Sequence, residues 1–173
     1  IFGLHWAIVP LIANDIASKG YSYLNAIVSM TMVAQGAAVL AIMIKSKIAS
    51  VKELSGAAAI SAFVGITEPS IYGINLKYGR AFLTANIGAA AGGLVTGLLN
   101  VNMYGFTGSI IGFPSFFTPA KFGGGISNQI NFWIATIVTL VVAFACTWAF
   151  GFKDSDVEAA KKVTRRKTIG KNA

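Results

Sequence analysis

Charged side chains are missing from three long stretches of the chain: residues 20–44, 81–120 and 122–152 contain no Asp, Glu, Lys or Arg. A helix needs about 20 mostly apolar residues to cross a bilayer core of about 30 Å. Leu24–Ile44, Ala81–Val101 and Phe132–Phe152 each supply 21 residues, and the pattern predicts three transmembrane helices there. None reads as a signal peptide, because the first begins well inside the chain and lacks a cleavage pattern.

Two other regions are patterned differently. Residues 102–125 hold Asn102, Pro114, Pro119 and Gly123-Gly124-Gly125, the punctuation of a loop with short helical or re-entrant pieces. Residues 56–74 are apolar but short, and Glu68-Pro69 interrupts them. An ionised carboxylate at the bilayer centre costs at least about 2.5 kcal/mol and persists only where it faces a polar cavity or a partner. Proline removes a backbone donor and breaks helix continuity. Broken backbone at membrane depth is tolerated only where it lines a cavity or is buried in protein. The segment is therefore expected to dip in as a re-entrant hairpin, turning near Ile66–Pro69, rather than to span.

The basic residues agree with that reading. With a hairpin, Lys45, Lys47, Lys52, Lys77, Arg80 and seven basic residues of the tail share one side, a 12 to 2 division against Lys19 and Lys121. With a fourth span the division is 10 to 4. Cytoplasmic segments carry the excess of Lys and Arg, so the hairpin fits better, and the C-terminal tail is cytoplasmic in either arrangement.

Composition narrows the class. Hydrophobic residues make up 55% of the chain, charged residues 12%, and the mean hydropathy is +0.68; a soluble chain carries about 25% charged residues. Intrinsic disorder is excluded by that hydrophobicity, and a disulfide-stapled secreted domain by the solitary Cys146. The expected fold class is an all-α integral membrane protein. Apolar sequence is already running at Ile1, and three spans leave too little wall to enclose a hydrophilic substrate. Residues 1–152 are therefore expected to form the C-terminal part of a larger membrane domain. The tail, 153–173, sets its seven Lys/Arg against Asp154, Asp156 and Glu158. With no aromatics and no recognisable fold it does not read as a nucleic-acid binder. Its expected roles are topology, attraction to anionic membrane lipid, or linkage to a soluble partner domain.

Glu68 is the strongest candidate for chemistry, since intramembrane acids are functional by default. A carboxylate takes sugar hydroxyls through charge-assisted hydrogen bonds and binds protons or metal ions as well, so its position implies a polar substrate or an ion. His5 is the sole histidine and on its own reads more readily as a satisfied interior residue than as a ligand. Trp6 beside it suits an interfacial anchor or a platform for the apolar face of a sugar. Gly88-x-x-x-Gly92 and Gly93-x-x-x-Gly97 suit close packing of the second span against another helix. Cys146 falls inside the last span, where a buried thiol is inert. No metal-ligand cluster, nucleophilic triad, phosphate-cradling loop or cofactor motif is present in the sequence.

Gly65-Ile66-Thr67-Glu68-Pro69-Ser70-Ile71-Tyr72-Gly73 resembles the GITEP signature of the sugar-transporting enzyme IIC domain of the bacterial phosphotransferase system, glucose superfamily. Asn75-Leu76-Lys77 and Arg80-Ala81-Phe82 resemble the basic stretch that follows the signature. Gly3-Leu4-His5-Trp6 with Val9-Pro10 resembles the family's upstream histidine motif. Phe106-Thr107-Gly108 and Phe113-Pro114-Ser115 are similar to the β-glucoside, sucrose and trehalose branch. The resemblance implies that Glu68 and His5 contact the sugar, with Thr67, Pro69 and Trp6 as neighbours of the site, and that the signature sits in a re-entrant hairpin. It further implies a homodimer of permease domains with about ten helices each, in the bacterial cytoplasmic membrane, where sugar uptake is coupled to phosphorylation. The phosphoryl donor is a cysteine of the soluble enzyme IIB domain, itself charged through enzyme IIA; Cys146, within a span, cannot take that part. Ser70 stands where the signature has Ala, which leaves the acid untouched.

Two rival readings remain on the sequence: an ion-coupled secondary transporter with Glu68 as a proton site, and a non-transporting membrane scaffold in which Glu68 is paired with a basic residue.

Overall fold

The computed structural model describes residues 5–155 and 157, with His5 and Trp6 in backbone only. Most of the basic tail, residues 158–173, lies outside the described residues. Five α-helices follow one another: α1 (His5–Lys19), α2 (Tyr23–Lys45), α3 (Ala49–Phe63), α4 (Arg80–Leu98) and α5 (Ser127–Cys146), the last continuing as a π-helical turn to Gly151. Three stretches are long and apolar enough to cross a membrane: Tyr23–Lys45, Arg80–Leu98 and Ser127–Gly151. At 1.5 Å per residue α2 is roughly 34 Å long, a match to the bilayer core.

α2 is the central helix. Every residue from Val33 to Val39 is buried, so all of its faces are covered at mid-length. Antiparallel α4 covers one side, with Ala26 and Val95 sharing a core at one end and Val39 and Ala81 at the other. α5 runs parallel to α2: Phe132 packs with Ala26 and Met30, and Ala143 with Ala34 and Ala37. The helices approach closely because small residues line the seams. A Cβ on Gly88 would lie 2.6 Å from Ala143 Cα, and one on Gly92 would run into the Thr139 hydroxyl. Of the two small-residue pairs in α4, the first is thus a packing seam with α5. In the second, a Cβ on Gly93 would lie 3.3 Å from the Ile27 side chain of α2, a tight approach, while Gly97 faces open space.

Between α2 and α4 the chain makes an excursion along the bundle. It leaves at Ser46–Ile48, climbs as α3, turns, and returns as a π-helical segment, Pro69–Asn75, in which the Leu76 N–H bonds the Ile71 carbonyl. Phe63 at the top lies against Gly36, near the middle of α2. Val51 near the start and Tyr78 at the end belong to one core with Ile42 and Phe152. Both ends of the excursion therefore sit where α2 and α5 finish. That corner is tied: the Ser46 hydroxyl and the Lys47 N–H donate to the Asp154 carboxylate at 2.8 and 3.2 Å, and the Lys45 ammonium donates to the Trp148 carbonyl. Burial, helped by the Asp154 charge, pushes the Tyr78 phenol up from its ordinary range, so it stays neutral at physiological pH.

The opposite end is closed by residues 99–126. Ser22 and Met103 exchange backbone hydrogen bonds at 2.9 and 3.3 Å. The chain then turns inward and carries two short 3₁₀ turns, Ile110–Phe116 and Ala120–Phe122. Side-chain amides hold it. Asn25 donates to the Gly105 and Thr107 carbonyls at 3.2 and 3.1 Å, and Asn128 to those of Asn102 and Phe116 at 2.7 and 2.6 Å. Phe116 stacks on Phe132 with 3.9 Å between ring centroids.

The helices depart from the expected spans where polar groups intervene. α4 stops at Leu98 rather than at 101, because Asn100 takes a positive φ of 50°, which L-residues cannot continue as a helix. α5 starts at Ser127 rather than at 132, since Asn128 and Asn131 face the loop and are satisfied there. α1 was not expected as a helix; it is interrupted in sequence by Pro10 and leaves most of its surface exposed. Cys146, expected to be buried, is half-buried.

Gly88→Ala and Gly92→Ala are each expected to destabilise the bundle by about 1–3 kcal/mol through overpacking. Gly97→Ala, with open space around it, should be neutral or stabilise by up to about 1 kcal/mol as a helix-interior change. Thermal unfolding of the three variants in detergent reads the contrast; equal midpoints would refute the seam.

Candidate functional site

α3 ends in a turn whose chemistry is written in its sequence. Gly65 adopts φ +103°, its N–H bonds the Ala62 carbonyl at 3.0 Å, and the Ile66 N–H bonds the Ser61 carbonyl at 2.9 Å. These 5→2 and 6→1 bonds are a Schellman cap with glycine at the left-handed position. The Ser61 hydroxyl adds a bond to the Ile66 carbonyl at 2.8 Å. Two residues outside regular structure follow, and Pro69, with no N–H to satisfy, opens the π-helical return. Glu68 stands at that junction as the residue before the first helical proline.

The Glu68 side chain is exposed and makes no hydrogen bond or ion pair among the described residues. Thr67 beside it is half-buried and Pro69 exposed. Behind them the return leg is fixed. Ser70, fully buried, donates to the Ala58 carbonyl at 2.7 Å, and Asn75 donates to the Gln35 side-chain oxygen at 2.6 Å. Ile60, Val64, Ile66 and Tyr72 on the same excursion are all more than 45% exposed, so the carboxylate is surrounded on this chain by an uncovered apolar face.

A second piece of irregular chain meets the turn. Ser109, fully buried, donates from its hydroxyl to the Ala62 carbonyl at 2.7 Å. The Ser109 carbonyl accepts from the Ser29 hydroxyl at 3.4 Å. Gly108 presses against Met32, and its carbonyl faces Gly65. The inward loop and the top of the excursion thus touch alongside α2, next to Thr67–Glu68.

Of the residues expected at the site, Thr67, Glu68 and Pro69 come together by adjacency. The side chains of His5 and Trp6, at the start of α1, lie outside the described residues. Sequence reasoning missed Ser109, Gln35 and Asn75. The available signal is faint: Gln35 is one of two amides, with Asn25, in an otherwise charge-free apolar run, and Asn75 reads only as part of a basic stretch. Among the described residues no three of His, Cys, Asp and Glu gather as metal ligands.

A central apolar helix flanked by two others, with an exposed carboxylate at a helix break that has no partner among the described residues, is the arrangement of a helical membrane protein. Residues 1–89 match the family Phosphotransferase system, EIIC, and the chain belongs to that family. It is similar to the sucrose-specific EIIBC component of Bacillus subtilis, 41% identical over 92% of this chain and 33% of that protein. It is 34% identical to the β-glucoside-specific EIIBCA component of Dickeya chrysanthemi over 92% of this chain and 25% of that one. With the trehalose-specific EIIBC component of Escherichia coli it shares 34% identity over 83% of this chain and 28% of the other. The chain spans a third or less of the length of these relatives. No solved structure matches it.

Gly65→Ala is expected to cost about 1–2 kcal/mol, the penalty of a Cβ in left-handed backbone, although space is available around it. Gly73→Ala, equally uncrowded and without a positive φ, serves as the control. Chemical denaturation of the two variants checks this; a Gly65 variant as stable as the Gly73 variant would contradict the capping geometry.

Proposed function

We propose that this chain is the C-terminal part of an enzyme IIC permease domain that takes up a glucoside, of the sucrose, β-glucoside or trehalose kind, coupled to its phosphorylation. The observation that carries the reading is the free, exposed Glu68 carboxylate at the α3–π junction. An intramembrane carboxylate with no partner among the described residues fits a ligand group for a polar substrate. Its lack of an ion-pair partner among the described residues disfavours the scaffold reading. Membership of the EIIC family supports sugar transport, and the names of the relatives supply the sugar class.

In this reading Glu68 accepts hydrogen bonds from sugar hydroxyls, Thr67 and Pro69 shape the rim, and His5 with Trp6 contributes from the N-terminal side. The excursion from Ala49 to Tyr78 is a re-entrant hairpin. Supporting that, Val51 and Tyr78 pack in one core with the ends of α2 and α5, which places Lys45, Lys47, Lys52, Lys77 and Arg80 at one end of the bundle. That end is the cytoplasmic one by the excess of basic residues. The exposed apolar face around Glu68 is covered by the remainder of a roughly ten-helix domain and by a second copy in a homodimer. The phosphoryl group comes from EIIB and EIIA parts; by name the sucrose-specific relative carries EIIB fused to EIIC, and the β-glucoside-specific relative carries both.

Glu68→Gln in the complete transporter keeps the shape but removes the charge. A charge-assisted hydrogen bond contributes about 1.5–3 kcal/mol against about 1 for a neutral one, so sugar binding should weaken roughly 2- to 30-fold. Calorimetric affinity on the folded variant decides: wild-type affinity would sink the sugar-ligand role. Intact affinity with lost pH dependence of uptake would indicate a proton site. For the hairpin, a cysteine replacing Lys47 in a Cys-less transporter should resist an impermeant thiol reagent added outside, while one replacing Lys121 should react. Labelling at position 47 from outside would restore a spanning segment.

A further inference from the structure

Ser109 is the one buried serine whose backbone a glycine would hold more comfortably. Its φ of 60° and ψ of −161° fall in a region that is essentially reserved for glycine, although Gly105, Gly108 and Gly112 are close by in the chain. Strain of this kind persists only when the surroundings over-determine it. Here they do so through two hydrogen bonds: the hydroxyl on the Ala62 carbonyl at 2.7 Å, and the Ser29 hydroxyl on the Ser109 carbonyl at 3.4 Å. Ala62 is not an arbitrary partner. Its carbonyl also accepts the Gly65 N–H at 3.0 Å and is one of the two acceptors of the Schellman turn. Glu68 follows Gly65 by three residues. The Ser109 hydroxyl therefore fixes the acceptor on which the turn closes, and the turn sets the direction in which Thr67 and Glu68 leave it.

We propose that Ser109 is a positioning residue for Glu68, reaching across from the inward loop to hold the carboxylate in the orientation that meets the sugar. The inference rests on the reading of Glu68 as a sugar ligand. A loop serving only as filler would use glycine at this φ and ψ. The serine accepts backbone strain to deliver a hydroxyl to the turn.

The test is made on the complete transporter with Ser109→Gly, which removes the hydroxyl and relieves the backbone at once. The expected result is a melting temperature in detergent equal to or above wild type, together with calorimetric sugar affinity reduced about three- to tenfold, the range for one lost neutral hydrogen bond. In a Glu68→Gln background the same change should add little, because residues acting through one another are not additive. Ser109→Ala, which keeps the strain and loses the hydroxyl, should lower affinity and melting temperature together. Wild-type affinity in Ser109→Gly, or an equal loss with and without Glu68, overturns the proposal while leaving Glu68 as a ligand. So does a fall of affinity in Ser109→Gly that only tracks a fall in melting temperature. Wild-type affinity in Glu68→Gln alone overturns the sugar-ligand reading and this inference with it.

Discussion

Irregular backbone inside an apolar bundle has no water to satisfy it, and the rest of this structure is arranged around that constraint. Two stretches break helical hydrogen bonding alongside α2: the turn Gly65–Glu68 and the inward loop from Val101 to Ser109. A buried carbonyl or N–H left without a partner costs about 1–3 kcal/mol. The carbonyls here are met by short side chains: Ile66 by Ser61, Ala62 by Ser109, Ala58 by Ser70, and Gly105 and Thr107 by Asn25. These few Ser and Asn residues, placed in otherwise apolar helices and loops, allow the chain to leave helical geometry where a carboxylate is to be displayed. The small residues of α4 do the complementary task, bringing α5 close enough that the core stays dense around the break.

Much of this was legible because it depends on local chemistry. Long runs without charge located the three apolar helices within a few residues, and Glu68-Pro69 marked the break. What escaped depends on contacts between distant parts of the chain. The expected span begins late, at Phe132, whereas α5 starts at Ser127 and the amides of Asn128 and Asn131 face the loop from within the helix. Two small-residue pairs in α4 look alike in sequence, yet only Gly88 and Gly92 form a seam with α5, whereas Gly93 meets Ile27 of α2 and Gly97 meets open space. Ser109 could not be singled out at all, since nothing in its neighbours announces that a serine there must take a glycine conformation.

The site was legible to the extent that one side chain carried it. Glu68 stood out by its charge, and its freedom from any partner among the described residues fits a group that awaits a ligand. Gly65 is explained by a positive φ, and Pro69 by the missing donor at the first position of the return leg. By contrast, Gln35 and Asn75, which tie that leg to α2, are neutral amides in apolar surroundings, and a linear reading gives them no more weight than their neighbours.

The contact between Ser46 and Asp154 has a polymer consequence. It joins residues 108 positions apart and so turns α3, the π segment, α4 and α5 into a closed ring. For a flexible chain of that length the closure entropy, (3/2)RT ln n, amounts to about 4 kcal/mol. Two hydrogen bonds to a carboxylate, at about 1.5–3 kcal/mol each, are of the same order. The ring is therefore closed by α5 packing along α2, which brings its ends together. The carboxylate contact is a small joint resting on that packing, at the place where α2 hands over to the segment that bears Glu68.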